Sequence, residues 1–169
     1  MAAAMKAAEV RGLTGAAPAA FTLLVILLSR VPFQDSALGP LLPLFGLMFA
    51  YHFRLYFPNA APLWLLFAFG LIEDFLSGGA LGLTSLLLLV VAGLFERKRV
   101  LFASASFGTE IVTFAVFSLA FAGAYWLVAG FVEGRLLPPV PFLVQAAATA
   151  VAFPAYVWTF TRLFRQYGS

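Results

Sequence analysis

From Leu101 to Gly130 the chain carries a single charged residue, Glu110. That run restricts the fold more than any other feature. A helix crosses the hydrocarbon core of a bilayer with about 20 mostly apolar residues, within a range of roughly 17 to 25. Inside that core every backbone polar group must be satisfied within the protein, which favours helices. The run is long enough to tilt or to begin with an interfacial turn.

Composition extends the reading to the whole chain. Of 169 residues, 63% are hydrophobic and 10% charged, and the mean hydropathy is +1.02. Soluble domains carry roughly a quarter charged residues. The expected class is therefore an all-α integral membrane protein in one membrane domain over residues 1–169. No cysteine is present, which excludes a disulfide framework, a thiolate metal site and a cysteine nucleophile. The net charge of +3 comes from basic residues set between apolar blocks, a pattern that fits anionic lipid headgroups and not nucleic acid.

Six spans are expected, near 13–29, 38–53, 60–76, 80–95, 101–130 and 140–160. Pro40, Pro43 and Pro62 fall in opening turns, where proline is tolerated. The Ser77-Gly78-Gly79 join leaves little room for a loop, so one of the three short middle spans is a candidate for a tilted, broken or re-entrant segment. Alternation from a cytoplasmic N-terminus puts Lys6, Arg11, Arg54, Arg97, Lys98, Arg99, Arg162 and Arg165 inside, and Arg30 and Arg135 outside. Cytoplasmic loops carry such an excess of Lys and Arg. Both termini are thus expected in the cytoplasm. Trp64, Trp126 and Trp158 fall near the expected interfaces. The sequence SRVPFQDSALG after Leu28 makes a poor cleavage site, so the first span is expected to be retained.

The third span holds the main puzzle, Glu73 and Asp74 side by side. Insertion of an Asp at the centre of a span costs about 2.5 to 3.5 kcal/mol, and less near an end. Adjacent helical residues point about 100° apart, so the two acids cannot act as a dyad on one partner. Gly70, Asp74, Gly78 and Gly82 recur every four residues, which would make a glycine-lined stripe if the helix continued through the join. On that stripe Asp74 faces protein, and Glu73 reaches toward the interface or a cavity. Asp74 then caps the break through N–H groups around Ser77 to Gly79, or lines a polar pocket that opens outward for a partner or small ligand. A proton relay would need further buried ionisable groups, and His52 and Glu110 are expected at the cytoplasmic interface.

Other chemistry is sparse. His52, the only histidine, makes a poor metal site without cysteine or a carboxylate pair beside it. No nucleophile-elbow, zincin, phosphate-loop or dinucleotide motif is present, and one adjacent acid pair is too little to hold Mg²⁺ for phosphotransfer. The expectation is a non-enzymatic chain with no catalytic, metal or cofactor residues. Arg97-Lys98-Arg99 reads as a topology determinant.

The stretch Gly70-Leu71-x-x-Asp74-x-x-x-Gly78-x-x-x-Gly82-Leu83, followed by a Leu-rich span, resembles the rod shape-determining protein MreD family. Tyr51 closing the second span, the Pro58 to Pro62 turn and the charged run at 96–99 add to the resemblance, which covers roughly residues 40 to 100. It implies a scaffold that binds an MreC-like protein and, through it, the MreB filament and RodA with its transpeptidase, directing lateral peptidoglycan synthesis in the bacterial inner membrane. The same family resembles the S components of energy-coupling-factor transporters, which implies a bundle of about six transmembrane helices with an outward-facing cavity. Asp74 and the three glycines carry the family motif, and Glu73 is an extra acid. The rival expectation is a solute-binding transporter subunit, whose AxxxA-type pattern on the first span is met by Ala16-x-x-x-Ala20 within an alanine-rich stretch.

Overall fold

The computed structural model describes residues 19–28, 42–56, 61–78, 80–102 and 107–164, with the backbone alone at 95–102, 163 and 164. These residues form six helices: α1 (Ala19–Leu28), α2 (Phe45–Tyr56), α3 (Leu63–Ser77), α4 (Leu83–Phe102), α5 (Phe107–Glu133) and α6 (Val140–Phe164). No strand occurs among the described residues. The all-helical class expected from the sequence is present.

Local chemistry sets the helix ends. Pro62 takes an extended conformation before α3, and its carbonyl accepts from Leu65 and Leu66 N–H. Gly78 ends the same helix in the left-handed region at φ 66°, a conformation that costs other residues steric strain. At the α5–α6 turn Arg135 N–H reaches back to Gly130 O at 3.2 Å, and Trp126 Nε1 donates to Leu137 O at 2.8 Å.

α2 occupies the centre. Every residue from Gly46 to Leu55 is buried, so this 12-residue helix presents no face to the outside. Its aromatic side chains reach three neighbours: Phe49 meets Phe69 of α3 edge-on at 5.1 Å, Tyr51 meets Phe114 of α5 at 5.1 Å and Phe153 of α6 at 5.5 Å, and Phe53 meets Phe160 at 4.9 Å. Such pairs each add about 0.5–1.5 kcal/mol beyond the burial of their area. α1 joins α6 through a buried Thr22–Tyr156 hydroxyl pair at 2.9 Å.

The helices differ in reach. α2 begins opposite the middle of α6, where Leu44 N–H donates to Thr149 Oγ1 at 3.1 Å. From that level α6 extends to Val140, roughly 13 Å further at 1.5 Å per residue. α5 is joined to α6 by Ser118 Oγ donating to Ala146 O at 3.0 Å; from there it continues to Glu133, roughly 22 Å. The far ends of this pair therefore stand beyond the start of α2. They expose Phe131 at 88% and Leu136 at 91%.

These bounds change several expected spans. α5 and α6 are long and apolar enough to cross a membrane, whereas α1 and the apolar part of α4, Leu83–Leu94, are shorter. Expected span 38–53 begins at Phe45, because Leu42 to Leu44 are non-helical, and positions 38–41 lie outside the described residues. Expected span 80–95 starts at Leu83 and runs on through Glu96 to Phe102, so Leu101 and Phe102 belong to α4 and not to the fifth segment. The charged run does not stop that helix, since Glu, Arg and Lys are good helix formers.

One glycine fixes the spacing of α3 and α4. A Cβ on Gly70 would lie 2.4 Å from Ser85 Cα and N, whereas one on Gly123 would meet nothing within 4 Å. Gly70→Ala should lower unfolding stability by about 1–3 kcal/mol or more through overpacking. Gly123→Ala should be neutral or slightly stabilising, as alanine is the better helix former. Reversible unfolding in detergent separates the two, and equal effects would contradict the assigned packing.

Candidate functional site

The last turns of α3 carry Glu73 and Asp74, and the 100° between adjacent positions aims them at different neighbours. Glu73 faces α2. Its Oε1 accepts from Gly46 N–H at 3.0 Å, in the first turn of a helix whose opening bond runs from Met48 N–H to Leu44 O. A Cβ on Gly46 would come within 2.8 Å of Glu73 Oε2, so the absence of a side chain there lets the carboxylate approach. α6 completes the join: Thr149 Oγ1 accepts from Leu44 N–H and donates to Gln145 O at 2.7 Å, and Gln145 Nε2 donates to Leu42 O at 3.4 Å.

Asp74 faces α4. Its Oδ2 accepts from Gly82 N–H at 2.8 Å and Thr84 N–H at 3.0 Å. Leu86 N–H bonds Gly82 O at 2.9 Å, which makes Gly82 the N-cap position and Asp74 an acceptor supplied to it from the preceding helix. Ser77 Oγ returns to Asp74 O at 3.2 Å, and Ser85 Oγ donates to Phe67 O at 2.8 Å. α3 thus caps two helices at once. Each carboxylate meets the positive end of a helix dipole, a favourable interaction of about 0.3–1 kcal/mol and up to ~2 in partly buried geometry. Charge-assisted bonds to backbone N–H add to it. Both act against the cost of burying the pair.

Several expectations change. Asp74 is buried as expected, with no exposed surface, and its donors among the described residues are Gly82 and Thr84 N–H; Gly79, in the expected donor set, lies outside the described residues. Glu73 is not at an exposed interface; it is 2% exposed and holds α2. Gly70, Gly78 and Gly82 do not form a stripe, because α3 ends at Ser77. Gly78 and Gly82 have φ of 66° and 89°, and a Cβ on either would meet nothing within 4 Å. Backbone conformation explains those two, and close approach explains Gly70.

A second polar cluster lies at the opposite end of α2. His52 and Glu110, expected at the interface, are 5% and 6% exposed, with His52 Nδ1 3.7 Å from Glu110 Oε1. Tyr56 OH donates to Glu110 Oε2 at 3.0 Å. The spacing of His52 and Tyr56 puts both on one helical face, the one local signal for this cluster. Arg54, placed in the cytoplasmic set, is buried and donates to Ala61 O at 3.4 Å. Trp64 and Trp158 are exposed, with the Arg162 guanidinium 5.4 Å from the Trp158 ring centre; Trp126 is instead half-buried and tied to the α5–α6 turn. Arg30 and Ala16 lie outside the described residues. Among the described residues no three His, Cys, Asp or Glu side chains converge on a metal position.

Removing the Asp74 carboxylate should expose its structural role. Asp74→Ala leaves two backbone N–H groups without their acceptor, at about 1–3 kcal/mol for each buried group left unsatisfied. Asp74→Asn keeps one acceptor and should lose less. Unfolding midpoints that rank wild type above Asn above Ala are expected; an Ala variant as stable as wild type would contradict the capping geometry.

Comparison of the chain with known protein families, characterised proteins and solved structures gives no match.

Proposed function

We propose that this chain is a non-enzymatic scaffold of the MreD type in the bacterial inner membrane, multi-pass with both termini cytoplasmic. In this reading it binds an MreC-like protein and, through it, the MreB filament and RodA with its transpeptidase, to direct lateral peptidoglycan synthesis and keep rod shape. The observation that carries the proposal is the use of the two conspicuous acids. Glu73 and Asp74 are both buried against helix N-termini, which is how a chain spends carboxylates on holding a shape. The MreD-like motif itself supports the reading through Asp74, Gly78 and Gly82, which together build the α3–α4 turn.

In this reading Asp74, which is fully enclosed, acts by setting the turn. The outer ends of α5 and α6, with Phe131 and Leu136 exposed, offer the surface for a membrane-proximal segment of the partner. The bundle of about six spans belongs to this proposal, as does a bilayer placement in which α5 and α6 cross fully and α2 starts near mid-depth.

A second reading is favoured by that mid-depth start. Transporters build their sites from discontinuous helices whose N-termini point into the bilayer centre, so a solute-binding subunit of the S-component type is the alternative. Crosslinking a tagged chain in native membranes, followed by gentle extraction, separates the two. The scaffold predicts recovery of an MreC-like protein, reduced several-fold by Phe131→Ala with Leu136→Ala at unchanged protein level. Recovery of an ATP-binding module or a retained small molecule in its place would overturn the scaffold in favour of the transporter.

A further inference from the structure

The inner end of α2 holds a buried pair that neither capping nor the scaffold reading uses. His52 Nδ1 and Glu110 Oε1 are both fully enclosed, and neither has a hydrogen-bond partner among the described residues. They face each other at 3.7 Å, beyond the roughly 2.7–3.2 Å of an N–H···O bond. If Nδ1 is bare, two lone pairs confront one another away from water, an arrangement that buried polar groups rarely keep. One hydrogen between the two atoms removes the conflict.

The surroundings select the form in which that hydrogen arrives. Glu110 lies in the first turn of α5, where the helix dipole favours an anion, and His52 lies about one turn from the end of α2, where it favours a cation. Three aromatic rings surround the imidazole: Tyr56 at 5.0 Å, Phe53 at 5.7 Å and Phe160 at 6.0 Å between centres. Tyr56 OH holds the other carboxylate oxygen, so Glu110 keeps its acceptor Oε1 toward the histidine.

We propose that His52 and Glu110 form a proton-binding site, in which an imidazolium and a carboxylate share one proton and tie the last turn of α2 to the first turn of α5. The proton comes from water and goes to Nδ1, and no other group changes its bonding. The titratable groups facing the pair among the described side chains are Tyr51 and Tyr56 from α2, whereas α6 contributes the uncharged Phe160. Arg54 turns toward Ala61 O, and Arg162 is exposed on α6 over Trp158.

The chain's single histidine makes the test direct. Infrared difference spectra of the full chain in lipid nanodiscs are recorded between pH 5 and 9, which brackets the range where histidine ordinarily changes charge. Wild type should show the imidazole band and one carboxylate band changing together in a single step. Glu110→Gln should keep an imidazole change and lose its carboxylate companion, and His52→Gln should lose the step altogether. Tyr56→Phe, which leaves the ring packing in place, should shift the frequency of the carboxylate band and preserve the coupling. An imidazole change in wild type without a carboxylate companion would overturn the site, and that reading requires no variant to fold. So would an unaltered carboxylate step in Glu110→Gln.

Discussion

Two helices of this protein begin against acceptors that a third helix supplies, and the fold depends on how their first N–H groups are satisfied. An α-helix starts with about four donors that have no partner within it, and in apolar surroundings no solvent supplies one. α3 supplies acceptors for both starts from consecutive residues. Glu73 serves α2 and Asp74 serves α4. The arrangement explains why a 12-residue helix can sit buried on all sides at the centre. Its entrance is closed by α3 and α6, and its side chains are left free to bind the surrounding helices through aromatic contacts.

The glycines belong to the same device, each for its own reason. Gly46 makes room for the Glu73 carboxylate and Gly70 for the α4 backbone at Ser85. Gly78 and Gly82 turn the chain so that α4 returns under Asp74. Small residues near a buried acid invite a reading as a helix-packing face, and of the expected stripe only Gly70 has that role.

Much of this was legible in the sequence. The helical class follows from the apolar runs, and the divergence of Glu73 and Asp74 follows from helical geometry. The burial of Asp74 was also expected. The glycine spacing misled because a four-residue repeat looks the same whether it lies on one helix or passes through a turn, and periodicity carries no sign of φ. Glu73's partner, Gly46, lies on another helix, and its N–H is a backbone group that no side-chain pattern reveals. The pairing of His52 with Glu110 likewise arises only when α5 folds back on α2. For function, enclosure of both carboxylates leaves the acids a positioning role.

The most direct measurement is amide hydrogen exchange at Gly46, Gly82 and Thr84 in wild type, Glu73→Ala and Asp74→Ala. The two caps are separate bonds made by one helix, so Glu73→Ala should speed exchange at Gly46 alone, and Asp74→Ala should speed it at Gly82 and Thr84 alone. If either substitution released all three amides together, or neither released any, the account of α3 as a double cap would be wrong.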